Sequence, residues 1–168
     1  MRLEADVIIR PAKRGDLKEA CAIDYEAFSP YGTAEMPSVI ESRWTVFPQG
    51  FVVAETRGRI VGYGSSEKWL NEHEPAMNED PFKSHFPEGR VFCITAVAVY
   101  REWRANGIGP AIVDNLIQIA RKEQCRAILL ETTHAQNYYL HRGFHIVGER
   151  EQMNAKLTVL ALDLEYKP

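Results

Sequence analysis

No stretch of this 168-residue chain is apolar for long enough to cross a bilayer, which removes the membrane-spanning classes first. Charge of one sign is scarce as well. Twenty Lys and Arg against 23 Asp and Glu leave a formal charge of -3, without the basic footprint of a nucleic-acid binder. Only three cysteines occur, Cys21, Cys93 and Cys125, widely spaced and in apolar contexts. They read as reduced core residues and exclude a disulfide framework. No metal site is expected: no Cys or His spacing suits one, and His141 and His145 straddle Gly143 instead of sharing a helix face. There is no low-complexity tract and no repeat. Charged residues precede any apolar run at the N-terminus, so no signal-peptide pattern is visible. The expectation is a soluble cytoplasmic chain forming one domain over 1–168, with no membrane or nucleic-acid partner, burying roughly 70% of its unfolded surface.

What is present is a regular alternation of elements. Asp6 to Arg10 reads as a strand closed by Pro11. From Asp16 to Phe28 the apolar residues Leu17, Ala20, Cys21 and Phe28 recur at helical spacing. A break marked by Pro and Gly follows over Ser29 to Pro37, then a shorter helix from Ser38 to Phe47 with Ser38 as its N-cap. Phe51 to Thr56 and Arg59 to Ser65 form a hairpin through Arg57-Gly58. Val91 to Val99 is long enough to be a central strand. Pro110 to Lys122 carries Ile112, Val113, Leu116, Ile117 and Ala120 on one face, an amphipathic helix. Ala127 to Leu130 is a short strand, a helix ends near Tyr139, and Phe144 to Glu149 and Leu157 to Leu164 finish the chain as strands.

The most informative stretch runs from Val97 to Ala111. An apolar strand enters a short turn carrying Arg104, Gly107 and Gly109, and the turn feeds directly into a helix with Pro110 in its first turn. Such a helix start presents free N–H groups and a positive dipole end to a phosphate. Arg104-Ala105-Asn106-Gly107-Ile108-Gly109 fits the Q/R-x-x-G-x-G/A signature of the GCN5-related N-acetyltransferases. It is not the dinucleotide fingerprint, whose glycine order differs and which needs an acidic ribose partner further on. A second motif agrees: Tyr139 to Phe144 resembles the Tyr-x-x-x-Gly-Phe ending of the same family, with Gly143 stopping the helix in the left-handed conformation. The order β-α-α-β-β-β-α-β-α-β-β is also that family's order.

The resemblance implies an α/β (α+β) fold. Its central sheet is mixed and mostly antiparallel, splayed between the fourth and fifth strands and flanked by about four helices. It further implies that acetyl-CoA is the cosubstrate and that pantetheine lies in the splay, pairing with backbone groups of Val97 and Val99 as a strand would. The pyrophosphate is then taken by the span Arg104, Ala105, Asn106, Gly107, Ile108, Gly109, Pro110 and Ala111 through its N–H groups, of which Pro110 has none. Tyr139 matches the tyrosine that hydrogen-bonds the coenzyme sulfur and is the candidate general acid, whereas Tyr138 reads as packing. The implied reaction is acetyl transfer to a primary amine by direct attack on the thioester, and the family also points to a homodimer with a C-terminal strand as exchange surface.

Deprotonating a lysine-like amine at neutral pH costs roughly 4–5 kcal/mol, against about 2 for the thiol leaving group, so the base matters more than the acid. Several family members carry Glu or His in the central strand at positions that fall on Cys93 and Thr95 here. Neither is a convincing base. Glu131, at the end of the next strand, is the candidate acting through water, with Glu67 after the hairpin as the other carboxylate in reach. Without a base, the alternative is a noncatalytic acyl-CoA-binding or regulatory domain. Segment 67–89 holds Glu67, Glu72, Glu74, Glu79, Asp80 and Glu88 with Trp69, Phe82 and Phe86 interleaved. A long aperiodic connection of this kind often carries function. It suggests a cationic acceptor (a polyamine, amino sugar, aromatic amine or protein amine). His134 starts the last helix near the cofactor, in a capping or surface role, and Trp44, Trp69 and Trp103 are each a site wall or packing.

Overall fold

The computed structural model describes residues 6–73, 76, 78–152 and 155–164. Glu74 of the acidic segment lies outside them. The chain runs β1 (Val7–Pro11), α1 (Leu17–Phe28), α2 (Pro37–Val46), β2 (Val52–Thr56), β3 (Arg59–Trp69), α3 (Pro81–Ser84), β4 (Val91–Val99), α4 (Ile108–Lys122), β5 (Ala127–Thr132), α5 (Gln136–His141), β6 (His145–Gln152) and β7 (Ala155–Asp163). Seven strands form one sheet in the order β1-β2-β3-β4-β5-β7-β6. Every adjacent pair is antiparallel except β4 with β5.

That one parallel pair is also the shortest. It runs only from Val91 opposite Ala127 to Ile94 opposite Leu130 and then stops. The cause lies next door, where Ser65 pairs with Ala96 and Ser66 with Ile94, leaving Thr95 as a bulged extra residue in β4. A bulge bends its strand and ends regular pairing. Here it turns the second half of β4 away from β5, and Ser65 and Thr95 hydroxyls bridge across it at 2.7 Å. The splay expected from family resemblance therefore begins at Thr95.

Both sheet faces are covered. α4 lays Ile108, Ile112, Val113, Leu116 and Ala120 onto one face against Phe92, Ile94 and Val99. The close approach depends on Gly64, because a Cβ there would sit 2.5 Å from Ile112 Cγ2. On the other face Ala20 and Ile23 of α1 and Ile40 of α2 pack on Val53, Tyr63, Ala96 and Ala98.

Several element boundaries differ from the sequence reading: α4 begins at Ile108 rather than Pro110, β5 runs on to Thr132 and β6 to Gln152, and the four-residue helix α3 stands in the connection before β4. Three further differences have a clear cause. α2 begins at Pro37 with Met36 as its N-cap, so Ser38 lies inside the first turn. Proline at the first helical position has the fixed φ the helix needs and lacks only an N–H that would be unpaired. β3 continues four residues past Ser65 because its polar run is paired inside the protein: Ser66 Oγ donates to Gly50 O, and Lys68 Nζ to Glu123. α5 starts at Gln136, and Thr132 Oγ1, rather than His134, accepts the Ala135 N–H at its start.

Candidate active site

A cavity of about 300 Å³ passes through the split between β4 and β5 and joins two unlike halves. One half is lined by Val97, Gly109, Pro110, Val113, Tyr138 and Tyr139. The other is lined by Asp24, Glu35, Arg43, Glu67, Trp69 and Cys93. Helix α4 supplies the first half because of its start. Gly107 sits at its N-cap with φ 78, and Ala105 before it also has positive φ, 65. These left-handed residues, costly for any side chain but glycine, fold the turn back beneath the helix. Arg104 N–H is spent on Arg101 O and Ala111 N–H on Gly107 O, while Pro110 has none. The N–H groups of Asn106, Gly107, Ile108 and Gly109 have no acceptor among the described residues. A Cβ on Gly109 would meet nothing within 4 Å, so the space beside it is open. The side chains brace the turn: Arg104 Nε donates to Val99 O at 3.1 Å, and Asn106 Nδ2 to Trp103 O at 3.1 Å. A cluster of free N–H groups at a positive helix end, beside open space, fits a diphosphate.

The two tyrosines of α5 close this half. Tyr139 is buried, edge-on to Tyr138 and Phe144, and burial pushes its phenol far above the ordinary range, so it is a neutral O–H at physiological pH. Tyr138, read from the sequence as packing alone, also lines the cavity, and its Oη is buried without a partner.

The second half is rich in charge. Glu131 is bound through both oxygens, since Arg150 Nε donates to Oε2 and Arg150 Nη2 to Oε1 at 2.8 Å. Neither oxygen of a carboxylate so held faces the cavity free of a donor. Glu67 differs. It is 1% exposed, lies opposite Cys93 across the β3–β4 ladder, and accepts Ser84 Oγ–H at Oε1. Its Oε2 accepts no hydrogen bond among the described residues; Arg43 Nε stands 3.7 Å away. Burial raises the Glu67 carboxyl above its ordinary range, against the opposing pull of Ser84 and Arg43. Asp24 is likewise raised by burial, with Tyr63 Oη donating to it at 2.5 Å. In the central strand, Cys93 is a buried thiol pushed well up, and Thr95 is tied to Ser65.

Sequence reasoning missed Arg43, which sits on α2, 3% exposed, with Nη2 donating to Glu35 at 2.8 Å. Its helix has too little amphipathic contrast to mark an inward-facing cation. Other candidates spread out. His134 is exposed and stacks on Tyr31 at the rim, Trp69 lines the cavity, and Trp44 Nε1 donates to Ala12 O. Glu72 pairs with Arg126 on the surface, whereas Glu79, its Oε1 facing His73, lines the cavity.

A sheet split after its fourth strand, with an open helix start at the split, is the fold of the acyltransferases that this chain matches. The model of the acetyltransferase (GNAT) family matches residues 17–144, and the chain belongs to that family. It is 33% identical over 153 residues to an uncharacterized N-acetyltransferase of Methanocaldococcus jannaschii, covering 87% of this chain and 80% of that protein. Among solved structures, the loading GNAT-like domain of CurA from Lyngbya majuscula superposes with a TM-score of 0.83 at 16% identity, covering 94% of this chain and 97% of that one. Naa50 of Arabidopsis thaliana, in complex with the bisubstrate analogue CoA-Ac-MVNAL, superposes with a TM-score of 0.72 at 15% identity, covering 95% and 100%.

Proposed function

We propose that this protein moves an acetyl group from acetyl-CoA to a primary amine by direct attack of the amine on the thioester. One observation carries the reading: the cavity runs from the helix-start N–H groups, through the strand split, to a buried carboxylate. We assign diphosphate binding to the N–H groups of Asn106 to Gly109 and pantetheine pairing to the edge of β4 that β5 leaves past Ile94, at Val97 and Val99, where Arg104 Nε already takes one lone pair of Val99 O. Acetyl-CoA supplies an activated carbonyl; the chain must supply an amine free of its proton. We assign that task to Glu67 rather than Glu131. Glu67 has a lone pair on Oε2 that no donor occupies, and its raised pKa brings it nearer to neutrality, where a base removes protons best. Tyr139 then returns a proton to the departing thiolate. A base that works by burial must be protected from bulk water, and the position of Glu67 beneath the cavity supports this.

The acceptor is a small-molecule or protein amine. A homodimer through the edge strand β6, which exposes Ile146 and Val147, completes the reading and is measured by sedimentation velocity. Calorimetric titration with acetyl-CoA tests the cradle. The wild type should bind, and Gly107→Asp should not, because it places a side chain and a negative charge where φ is positive and the diphosphate sits. Amine-dependent release of CoA tests the chemistry. Binding without release would instead support a noncatalytic acyl-CoA-binding domain, the reading that Cys93 and Thr95 in the central strand favour.

A further inference from the structure

The acceptor half of the cavity has an uneven count of unpaired groups. Its carboxylates are nearly all satisfied. Asp24 accepts Tyr63 Oη–H and Glu35 N–H; Glu35 accepts Arg43 Nη2–H and Asn78 N–H; Glu131 accepts Arg150. Among the described residues, Oε2 of Glu67 and Oε2 of Glu79, whose Oε1 faces His73, are the carboxylate oxygens lining this half that accept no hydrogen bond. The donors are the reverse. Arg43 Nε, Arg43 Nη1 and Trp69 Nε1 are all buried without a hydrogen-bond acceptor among the described residues, on side chains 3% and 1% exposed that line this half. Buried donors without partners are rare in folded proteins, and each calls for an explanation.

An acceptor with an amine and nothing else would use Glu67 and leave all three donors unpaired. A second ammonium, as in a polyamine, would face the Arg43 guanidinium. A group bearing oxygen lone pairs beside the amine answers both sides of the count. Glu67 Oε2 and Arg43 Nε stand 3.7 Å apart, near enough for one small molecule to touch both and too far to bond fully to each other. In an α-amino acid only the Cα separates the amine nitrogen from the carboxylate carbon, so the two charges arrive at that spacing.

We propose, resting on the acetyl-transfer reading above, that the acceptor is a free α-amino acid, its amine presented to Glu67 and its carboxylate held by Arg43 and Trp69. Arg43 is thereby a specificity-determining residue. The polar half of such an acceptor satisfies the wall that binds it, and its amine is left beside Glu67 Oε2, which stands 3.7 Å from Arg43 Nε and is free to take a proton.

The test is CoA release from acetyl-CoA by the wild-type protein, with free α-amino acids set against their decarboxylated amines (leucine with isoamylamine, phenylalanine with phenethylamine). A short unblocked peptide and a hexosamine complete the panel. At least one free amino acid should exceed its decarboxylated partner in kcat/KM by about a hundred-fold or more, as expected when a site built for a polar group meets an analogue lacking it. Trp69→Phe should raise KM for the amino acid several-fold more than for the partner amine, narrowing the discrimination between them. Arg43→Gln, if folded, should erase the discrimination altogether. Amines that serve as well as amino acids, or a preferred peptide or hexosamine, would overturn the proposal and leave acetyl transfer standing. No CoA release with any amine would overturn acetyl transfer and this proposal together.

Discussion

Glu67 is 1% exposed on a strand whose neighbours in sequence are also polar, and it keeps its carboxyl only because Ser84 donates to one oxygen and Arg43 stands near the other. Burial favours the protonated form, so the group ionises later than an exposed glutamate. The base must be ionised, so activity should fall as pH drops through this raised pKa, higher than an ordinary carboxylate would set. Glu67→Gln should lower kcat/KM by about 10²–10⁴-fold and remove the acidic limb of the pH–rate profile, with circular dichroism unchanged. An acidic limb that survives in the variant would move the base elsewhere. Tyr139→Phe should act more mildly, by about ten-fold in kcat, because a thiolate leaves with little help. Its acetyl-CoA affinity, read by calorimetry, should stay within a factor of about two, since the edge-on ring contacts survive the change.

At the scale of elements, the site depends on how closely α4 lies on the sheet. Gly62 and Gly64 of β3 leave room for Ile108 and Ile112, and this sets where the first turn of α4 meets the split. Gly64→Ala places a methyl 2.5 Å from Ile112 Cγ2 and 3.0 Å from Leu116 Cδ1. The helix must lift or rotate, at a cost of about 1–3 kcal/mol. The expected outcome is a lower urea midpoint together with weaker acetyl-CoA binding. A fall in stability with binding unchanged would mean that the cradle tolerates the shift. The strand β3 shows why element ends were harder to read than element centres. Ser65, Ser66, Glu67 and Lys68 look like a loop on hydrophobic alternation alone. Each finds a partner that no local pattern announces: Thr95, Gly50, Ser84 and Glu123 in turn. Pro37, by contrast, was a legible helix start, and Ser38 was the weaker choice of cap.

The whole molecule answers to pH through a group outside the cavity lining as well. His85 Nδ1 accepts the Lys68 N–H at 3.0 Å, its ring lies over Phe47, and burial with the nearby Lys68 charge lowers its pKa to about 4, against the opposing Glu123 and Glu88. A folded-state pKa below the ordinary 6.5 means stability that is complete above 6.5 and is lost as pH falls toward about 4. The raised carboxyls of Asp24 and Glu67 act in the opposite direction, favouring the fold as they protonate. The difference between wild type and His85→Gln isolates the histidine. Between pH 7 and 4.5 that difference in unfolding free energy should move by about 2 kcal/mol in favour of the variant. Urea unfolding at the two values measures it, and a constant difference would mean that His85 titrates normally.

The sequence by itself determined the family, the order of elements apart from the short helix α3, and the place of the glycine turn to which we assign the diphosphate. Those are local properties: strand periodicity, glycines where φ turns positive, and a proline at a helix start are set by neighbours a few residues away. Tertiary structure decided which side chains share the cavity. Glu67 and Arg43 lie 24 positions apart on different elements, and Arg150 reaches Glu131 from another strand, 19 positions on. Only packing α2 against β3, and pairing β7 between β5 and β6, set one carboxylate free and tied the other down. Long-range pairing of this kind leaves no period and no spacing in the chain, because it depends on which faces meet once the sheet has closed.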